Sequence, residues 1–569
     1  MTLEGDRGWL GVDMRRDPGQ LEAGLAALGI NLRFRDGRPA PRKGIRLLSW
    51  GARAEAGYGP GDILPYGQVA GAGVFNDPIG GGVWLIIATQ SGVYKTRPGT
   101  TGSQMPLPAG TTIPARVQIL QTFSGLVMLR GEGYEPIYCD DLDEGWKTLP
   151  VPTGGTRPLP ASDNGIYFAN RLFVIDRSGL SASYRDLVFV SDFGSTTDTL
   201  KGDALYNAFR INQGSRDALV ALYKFNETTL LAFKEDSVYA VSNIYGTNAD
   251  ISANARLDSI STEYGIRSAK AVVQVGNDVW FLAHRRGVCS IRQTEQNKLQ
   301  GVDVPISRDI EPLIQRINWQ YADNATMAFW DNKVYVAVPL DSADYNNAVL
   351  VYDTLTQRWC GHDEAAVLQV FDWLKLPYGG EIRLIYISDD GYVCLYEDGL
   401  LDQIPGTLGT WTKASVATTF RSRGYGANIP GRKRFGEVRL RLSTWWPQHS
   451  IAAVVEGVEE DRALVTNRTR SAVAYDRPHD ATDWDPTNQN DDFHTPYRQD
   501  YALNVGADGL EVSTNGLTGD LHQELEMARQ IHRRGRYVQI EVTGSQGRTV
   551  VNDLSVECEA DERRGPAVV

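Results

Sequence analysis

The amino-acid sequence predicts a mainly β protein, namely a β-propeller of six or seven blades with a C-terminal β-sandwich domain. Through the middle of the chain, a short apolar run of β-forming residues, a few polar residues and a second such run recur, as at residues 279–289. Each repeat is typical of a β-hairpin. Plentiful Gly (58) and Pro (26), beside Tyr (25) and Trp (13), favour short strands joined by tight turns. Few amphipathic helical stretches separate the runs, which disfavours a parallel α/β fold.

The spacing of the hairpins indicates the propeller. They start near residues 83, 125, 166, 229, 278, 333 and 383, so the intervals are 42, 41, 63, 49, 55 and 50 residues. Blades of the common propeller families repeat about every 40–50 residues. Most of the intervals between the hairpins fit this repeat length. We therefore predict three parts: an N-terminal helix and extended docking segment over residues 1–60, the propeller over 61–410, and the β-sandwich over 411–569.

The C-terminal part has its own pattern. Runs near residues 420–425, 434–442 and 536–542 alternate in character as strands do, and residues 476–500 between them are rich in Asp, Asn and Pro. That composition predicts a long exposed loop. His479 and His494 lie in it beside several Asp residues, but no twelve-residue calcium loop is present, and Asp and Asn are ordinary loop residues. We therefore predict no metal and no cofactor.

Composition excludes several classes of protein. No apolar run exceeds six residues, which is too short for a membrane-spanning helix, and the polar start of the chain does not look like a secretory signal, so we expect a cytosolic product. The five cysteines are scattered and form no C-x-x-C pair, which predicts reduced, packed thiols and no zinc site. A net charge of −13 argues against a nonspecific DNA binder, although it is compatible with a protein that lets DNA pass without gripping it.

Two short helices are predicted outside the hairpins. Residues 18–28 carry three leucines at helical spacing, and Asp17 before a proline provides a helix start. Residues 308–317 form the second helix, with Ser307 as its N-cap.

A basic segment over residues 29–46 is the sharpest local feature. Residues 31–34 predict a strand, Asp36 and Gly37 a tight turn, and the prolines that follow hold the chain extended. The segment is either a solvated hairpin at the edge of the first blade or a docking strap against a neighbouring subunit or ring, since extended segments with many arginines suit interfaces. The candidate interface residues are Arg33, Arg35, Arg38, Arg42, Lys43 and Arg46.

No catalytic motif is present. The chain lacks a G-x-S-x-G elbow, an H-E-x-x-H helix motif and a phosphate-binding Walker loop. Residues 388–391 (Ser-Asp-Asp-Gly) begin like the turn of a sialidase propeller, but Thr-Trp does not follow. We predict that the protein is not an enzyme, because nothing assembles the parts that catalysis requires.

Residues 29–44, with the pattern G-I-N-x-R-F-x-D-G-x-P-x-P-R-K-G after a predicted helix, resemble the N-terminus of tail nozzle proteins of short-tailed bacteriophages and their virion relatives. Further parts of the chain look like the same family: residues 190–194, 279–291, 348–353 with Trp359, and 534–542 with the segments at 547–548 and 552–554. The insertion at 476–500 does not match it. The resemblance implies a propeller-bearing ring, usually sixfold, at the distal end of the tail channel.

The expected function follows from this resemblance. The protein would be a structural component of a phage tail, assembled in the host cytoplasm, that extends the DNA conduit, retains the genome before ejection and offers a platform for fibres. Its partners would be further copies of itself in a hexameric ring, adjoining adaptor, tube and fibre proteins, and genomic DNA that passes without specific binding. The alternative is a tail protein that uses the central pocket of the propeller to bind or depolymerise host-surface glycans. Aromatic side chains and paired carboxylates in that pocket would favour the alternative.

Overall fold

The structure is a computed structural model that describes residues 2–48, 65–77, 81–97, 102–123, 125–150, 156–178, 185–194, 200–203, 207–244, 251–300, 304–406, 410–426, 431–455, 458–459, 523–531 and 534–560. Of the described residues, 54% lie in strands and 6% in helices, which confirms a mainly β protein, since an ordinary domain is about one-third helix. The loop predicted at 476–500, with His479 and His494, lies outside the described residues. None of the described helices is long and apolar enough to cross a membrane.

The N-terminal part contains short strands where a helix was predicted. They are β1 (Thr2–Asp6), β2 (Gly11–Val12), β3 (Leu25–Ile30), β4 (Leu32–Arg35), β5 (Arg38–Pro41) and β6 (Arg46–Leu47). Strands β4 and β5 pair as the predicted hairpin, with its turn at Asp36 and Gly37.

Seven antiparallel blades follow along the described chain; six are small separate sheets, and the strands of blade 6 belong to a larger sheet. The strands of blades 1 to 3 are β7 (Val69–Asn76), β8 (Val83–Thr89), β9 (Gly92–Thr96), β10 (Ser103–Met105), β11 (Gln118–Gln121), β12 (Leu126–Leu129), β13 (Ile137–Asp141), β14 (Gly145–Thr148), β16 (Gly165–Phe168), β17 (Arg171–Ile175), β18 (Leu187–Val190) and β20 (Ala208–Arg210), with an additional pair formed by β15 (Thr156–Pro158) and β19 (Lys201–Asp203). The strands of blades 4 to 7 are β21 (Leu219–Lys224), β22 (Thr229–Lys234), β23 (Val238–Ser242), β24 (Arg256–Ser261), β25 (Val272–Val275), β26 (Asp278–Ala283), β27 (Gly287–Ser290), β28 (Thr326–Trp330), β29 (Lys333–Val338), β30 (Ala348–Asp353), β31 (Arg358–Glu364), β32 (Val370–Tyr378), β33 (Glu381–Ser388) and β34 (Val393–Leu395).

The blades form a closed ring, in which most neighbours contact each other through their first strands. Strand β7 contacts β11, β11 contacts β16, β16 contacts β21, β25 contacts β28, β28 contacts β32, and β32 returns to β7. Blades 4 and 5 pack through Phe233 and Phe281, whose ring centroids are 5.3 Å apart. The sheets are therefore arranged around one axis, and the propeller prediction is confirmed with seven blades among the described residues.

The N-terminus closes this ring. Strand β6 pairs antiparallel with β34, so that Leu47 faces Cys394 and Arg46 faces Leu395, and it supplies the fourth strand of blade 7. The backbone N–H of Leu48 extends the pairing by donating to the carbonyl of Val393 at 2.8 Å. The propeller is thus closed without a covalent bond, by a segment more than 300 residues away from its partner strand.

The C-terminal strands are β37 (Thr418–Ser422), β38 (Lys433–Val455), β39 (Val458–Glu459), β40 (Gln523–Gln530), β41 (Arg534–Gly535) and β42 (Val538–Ala560). They are joined to blade 6 through β2 and β3 in one sheet of order β28-β29-β30-β31-β2-β3-β37-β42-β38-β39. Within the described ranges, the two-stranded sheet of β4 and β5 contacts β42, and the predicted sandwich is not confirmed. Gly361 has φ +101°, and a Cβ there would lie 1.9 Å from the carbonyl oxygen of Gly29, so glycine allows β3 to approach β31 closely. The hairpin before the C-terminal strands is β35 (Leu401–Pro405) with β36 (Trp411–Ser415).

One of the two predicted helices is wrong. Residues 18–28 contain a 3₁₀ turn at Pro18–Gln20 and then strand β3, because Gly24 adopts φ +83° and β3 pairs with β2 and β37. Tertiary pairing here overrides the helical spacing of the leucines.

The second predicted helix is confirmed as a 3₁₀ turn at Ile306–Ile310 followed by α3 (Glu311–Gln315), after the short α1 (Ile251–Asn254) and α2 (Ile291–Gln300). Ser307 does not cap it, since its Oγ accepts the N–H of Val288 at 3.0 Å. All five cysteines are buried and none of them forms a disulfide, as predicted.

Closure by β6 predicts a disulfide that can be engineered. The hydrogen bond from Leu48 to Val393 implies that Leu47 and Cys394 form the neighbouring non-hydrogen-bonded pair, in which Cα atoms lie about 4.5 Å apart, within the range of about 4.4–6.8 Å for disulfides. We expect Leu47→Cys to form a disulfide with Cys394 on oxidation. In urea unfolding, the oxidised variant should have a free energy of unfolding about 2–4 kcal/mol higher than that of its reduced form.

Leu48→Cys is the matched control. Successive side chains of a strand point to opposite faces, so a thiol at position 48 cannot reach Cys394. Thiol counting and mass spectrometry check both variants. Failure of Leu47→Cys to oxidise, or equal oxidation of both variants, would contradict the register of the closing strand.

Candidate functional site

The basic N-terminal segment divides into a buried and an exposed half. Arg33 and Arg42 are each 1% exposed, whereas Arg35 and Arg38 are exposed at the tip of the β4–β5 hairpin. Two further basic residues, Lys43 and Arg46, are half-buried. The cause is local: β4 is covered along most of its length and becomes exposed only where it enters the turn.

Arg33 makes a fully buried ion-pair network inside the chain. Its Nη1 and Nη2 donate to the two carboxylate oxygens of Asp363 at 2.9 and 2.6 Å, and its Nε donates to Glu397 at 2.6 Å. Nη1 also donates to the carbonyl of Leu32 at 2.8 Å, and the hydroxyl of Tyr396 donates to Asp363. This bidentate geometry is the strongest form of the arginine–carboxylate interaction. It ties β4 to β31 of blade 6 and to the end of β34 in blade 7.

Arg42, which directly follows β5, also makes a bidentate ion pair with a buried carboxylate. Its Nη1 and Nη2 donate to the two carboxylate oxygens of Asp402 at 2.8 and 2.7 Å, and Nη1 also donates to the carbonyl of Lys43 at 2.9 Å. Asp402 accepts a further hydrogen bond from the N–H of Ile45 at 2.9 Å. The segment that leads into the closing strand β6 is therefore held by the hairpin β35–β36.

Asn31 connects the two networks. It is buried, and its φ of +56° is a left-handed conformation that asparagine tolerates better than most residues. Its Nδ2 donates to the carbonyls of Glu364 and Ala417 at 2.9 and 2.7 Å, and its Oδ1 accepts from Arg42 Nε at 3.0 Å and from the N–H of Glu364 at 2.9 Å. We call the network of Asn31, Arg33, Arg42, Asp363, Glu397 and Asp402 the arginine clamp.

The charge states in the arginine clamp are fixed by mutual pairing. Burial alone would raise the pKa of Asp363, but the positive charge and hydrogen bonds of Arg33 outweigh it and hold that pKa below its usual value. Burial opposes the charge of Arg33 as well, yet the carboxylates of Asp363 and Glu397 raise its pKa well above the ordinary value. Each charge is thus stable only while its partner is present.

The clamp gives Arg33 and Arg42 an intramolecular role, so these two side chains are not available to another subunit. The interface prediction for the segment now depends on Arg35 and Arg38, with Lys43 and Arg46 partly covered, and it stays a prediction. Sequence reasoning missed Asn31, Asp363, Glu397 and Asp402 because the partners lie more than 300 residues apart and share no local pattern.

We expect Arg33→Ala to lower the free energy of unfolding by about 3–5 kcal/mol, because two buried carboxylates would lose their counter-charge. Arg35→Ala, in the same strand but exposed, is the control and should change it by less than about 0.5 kcal/mol. Urea unfolding followed by tryptophan fluorescence checks both. Equal effects of the two substitutions would show that Arg33 is not the counter-charge of buried carboxylates.

A second candidate site is the pocket on the propeller axis. This axial pocket has a volume of ≈ 330 Å³ and receives side chains from every blade. That volume lies near the lower end of small-ligand pockets, which span about 300–1,000 Å³. One lining residue from each of blades 1 to 7, or from the segment leading into it, is Ala70, Arg116, Asp163, Val220, Lys270, Asp323 and Asp389.

Ion pairs cross the mouth of the axial pocket. Arg116, before blade 2, pairs with Asp323, before blade 6, at 2.7 Å. Lys270, before blade 5, pairs with Asp372 of blade 7 at 3.1 Å, and its Nζ lies 3.6 Å from the ring centroid of Phe371. Because these pairs join blades that are not neighbours, they bridge the axis. A DNA duplex, whose major groove alone is about 12 Å wide, cannot pass along it.

The turn at residues 388–391 brings Asp389 to the axial pocket. Gly391 has φ +89°, and a Cβ there would lie 2.7 Å from the carbonyl oxygen of Gly67, so the turn requires glycine. The N–H of Asp389 donates to the carbonyl of Gln369 at 3.1 Å, and its own carbonyl accepts from Val69 at 3.0 Å. Burial and the nearby carboxylate of Asp390 raise the pKa of Asp389 to about 6.

The axial pocket supplies groups for binding rather than a recognisable reaction centre. Phe371 is the aromatic side chain among its described lining residues, and Lys270 covers that ring. No group of three His, Cys, Asp or Glu residues suited to a metal is found in the described part of the chain. The sequence pointed to residues 388–391 only through a partial sialidase-like turn, and it gave no sign that Arg116 and Lys270 would meet carboxylates across the axis.

Asp389 makes a testable contribution to the pH dependence of folding stability. Between its ordinary pKa of 3.8 and the raised value of about 6, the folded protein holds a proton that the unfolded chain has lost, so stability falls as pH rises through this window. The charged groups that act on it are Asp390 and Asp344, which raise its pKa, and Lys270, which lowers it. We expect Asp389→Asn to remove this fall, so that the variant gains stability relative to the wild type at pH 7.5 but not below pH 4.

Thermal melts from pH 3.5 to 8 check this expectation. Asp390→Asn should move the inflection towards lower pH without removing it, because Asp389 keeps its carboxyl group and loses only a repulsive neighbour. Parallel stability curves for the wild type and Asp389→Asn would show that Asp389 titrates normally.

The ring of blades around an axial pocket defines the class: the chain is a seven-bladed β-propeller protein over the described residues. No known family profile and no curated protein matches the chain. Among solved structures, it is similar to YCF48 bound to a D1 peptide, with a TM-score of 0.34, 10% identity, and coverage of 62% of this chain and 99% of that chain.

Two further structures have similar scores. The extracellular domain of BT3049 from B. thetaiotaomicron, described as a hybrid two-component system, has a TM-score of 0.36 and 9% identity, with coverage of 63% of this chain and 42% of that chain. The WD40 β-propeller domain of Doa1 has a TM-score of 0.35 and 8% identity, with coverage of 60% and 97%. Similarities of this size carry no argument about function.

Proposed function

We propose that this protein is a structural component of a bacteriophage tail, which forms a ring at the distal end of the DNA channel. In that role it extends the conduit, retains the genome before ejection and offers a platform for fibres or adaptors. The observation that carries the proposal is the resemblance of residues 29–44 to tail nozzle proteins, together with the order in which the later segments of the chain follow it.

The closed propeller axis determines where a conduit would lie. Because Arg116–Asp323 and Lys270–Asp372 bridge the axial pocket, the DNA channel would lie between subunits and not inside one propeller. The continuous sheet from blade 6 to the C-terminal strands supports this role, since it joins propeller and C-terminal part without a flexible link among the described strands. A net charge of −13 suits a channel wall that repels the DNA backbone.

The exposed tip of the basic segment supports a contact between subunits. Arg35 and Arg38 flank the turn of the β4–β5 hairpin, and the arginine clamp holds the base of that hairpin rigidly. A rigid, exposed pair of guanidinium groups is suited to carboxylates on a neighbouring copy, because little side-chain entropy is lost beyond that of the arginines themselves.

The glycan-binding alternative has weaker support in the axial pocket. The pocket contains carboxylates, but its aromatic side chain, Phe371, is covered by Lys270 instead of being free to stack on a sugar ring. The conduit role is therefore preferred.

We expect the purified protein to form closed rings that are visible by negative-stain electron microscopy and measurable by mass photometry. Arg35→Glu/Arg38→Glu should leave the thermal melt unchanged but shift the distribution towards monomers, because both side chains are exposed. Arg15→Glu/Arg216→Glu, with the same charge change at two other exposed positions, is the control and should assemble normally.

Three outcomes test the ring, the hairpin contact and the conduit in turn. A wild-type protein that stays monomeric at micromolar concentration contradicts the ring. Normal assembly of the Arg35/Arg38 variant removes the hairpin tip from the interface but keeps the ring. Tight, salt-sensitive binding of duplex DNA contradicts a conduit that does not grip its cargo, since such binding reports phosphate neutralisation by basic side chains.

A further inference from the structure

A buried acceptor in the axial pocket lacks a partner. Asn346 is 1% exposed and lines the pocket, and its Nδ2 donates to the carbonyls of Asn324 at 2.6 Å and Val370 at 2.7 Å. These two bonds fix the orientation of the amide, because only the nitrogen can donate to both carbonyls. The Oδ1 atom then has no hydrogen-bond partner among the described residues. Such atoms are rare in folded proteins and call for an explanation.

Among the described residues, the carboxylate of Asp389 in the same pocket has no ion-pair partner, and Lys270, whose charge lowers its pKa, pairs with Asp372 instead. The burial of Asp389 and the nearby Asp390 disfavour its charged form. The other pocket carboxylates are already paired, namely Asp163 with Arg177 at 3.1 Å, Asp323 with Arg116 at 2.7 Å and Asp372 with Lys270 at 3.1 Å. The unsatisfied negative charge of the pocket is therefore concentrated at one residue.

The two unsatisfied groups flank the same strand end. The N–H of Asp389 donates to the carbonyl of Gln369 at 3.1 Å, and the N–H of the next residue, Val370, donates to the carbonyl of Asn346 at 3.1 Å. Asp389 comes from the turn after β33 and Asn346 from the connection between β29 and β30, so two rigid elements bring them to the start of β32.

We propose that the axial pocket binds a cationic hydrogen-bond donor, an alkylammonium or guanidinium group, with Asp389 as its counter-charge and Asn346 Oδ1 as an acceptor. Such a group supplies what both residues lack, a positive charge and N–H donors. The three basic side chains of the lining, Arg116, Arg267 and Lys270, already pair with carboxylates, so an anion would meet Asp389 without gaining a free cation. An apolar group would leave Oδ1 unsatisfied. A volume of ≈ 330 Å³ suits a group of side-chain size, not an oligomer.

Two sources carry this chemistry: a free amine, and a Lys or Arg side chain of another protein. Agmatine represents the first, and the acetylated, amidated tripeptide Gly-Arg-Gly represents the second. The same tripeptide with citrulline is the neutral control, because citrulline replaces the guanidinium by a urea of the same shape. The proposal does not rest on the tail role, and a monomeric protein is sufficient for the measurement.

Isothermal titration of the full chain with each probe at pH 7.5 tests the proposal. We expect a guanidinium probe to bind at least about tenfold more tightly than the citrulline peptide, since a charge-assisted hydrogen bond replaces a neutral one. Tighter binding of the Arg peptide than of agmatine identifies a protein side chain as the ligand, and the reverse identifies a small amine.

A charge-matched pair of variants locates the binding site. Asp389→Asn should weaken binding of the guanidinium probe about tenfold. Asp390→Asn removes the same charge from the adjacent, exposed residue, which does not line the pocket, and should change binding less than about twofold. Circular dichroism confirms that both variants are folded. Equal binding of the Arg and citrulline peptides, equal effects of the two variants, or preferential binding of N-acetylglucosamine would overturn the proposal.

Discussion

The arginine clamp is the constraint on which the rest of this structure depends. Two guanidinium groups enter the interior from the N-terminal segment, and each meets a carboxylate in bidentate geometry. Replacing a buried ion pair by apolar residues is often neutral, but removing one partner leaves an uncompensated charge. We infer that the clamp contributes specificity more than stability, because one register of β4 to β6 brings Arg33 to Asp363 and Arg42 to Asp402 at the same time.

That register closes the propeller. Strand β6 completes blade 7 only if the preceding residues are held between blade 6 and the β35–β36 hairpin, as Arg42 and Asn31 hold them. The same N-terminal chain places β2 and β3 between β31 and β37, so one segment closes the ring and joins it to the C-terminal strands. At the start of the chain, Arg423 fixes β1 by pairing with Glu4 and Asp6 at 2.8 Å each. The propeller and the C-terminal sheet therefore share their stabilising contacts.

The closed ring sets the character of the axial pocket. Seven first strands converge there, and charged side chains from their leading segments meet across the axis. Pairing neutralises most of these charges and closes the axis to a DNA duplex. The unsatisfied groups, Asp389 and Asn346, lie where blades 6 and 7 adjoin. A conduit between subunits and a ligand at the axis of each propeller use different surfaces and are compatible with each other.

The sequence by itself determined the class of the fold, because alternating apolar runs and glycine-rich turns at regular spacing are local signals. It also determined the β4–β5 hairpin, whose Asp36-Gly37 turn needs residues that tolerate positive φ. Only the tertiary structure decided that β3 is a strand and not a helix, since its pairing with β2 and β37 overrides the leucine spacing. It likewise decided which basic residues are buried. Arg33 and Arg35 are alike in the sequence, and partners more than 300 residues away, which no local pattern announces, make one an internal ion pair and leave the other at the surface.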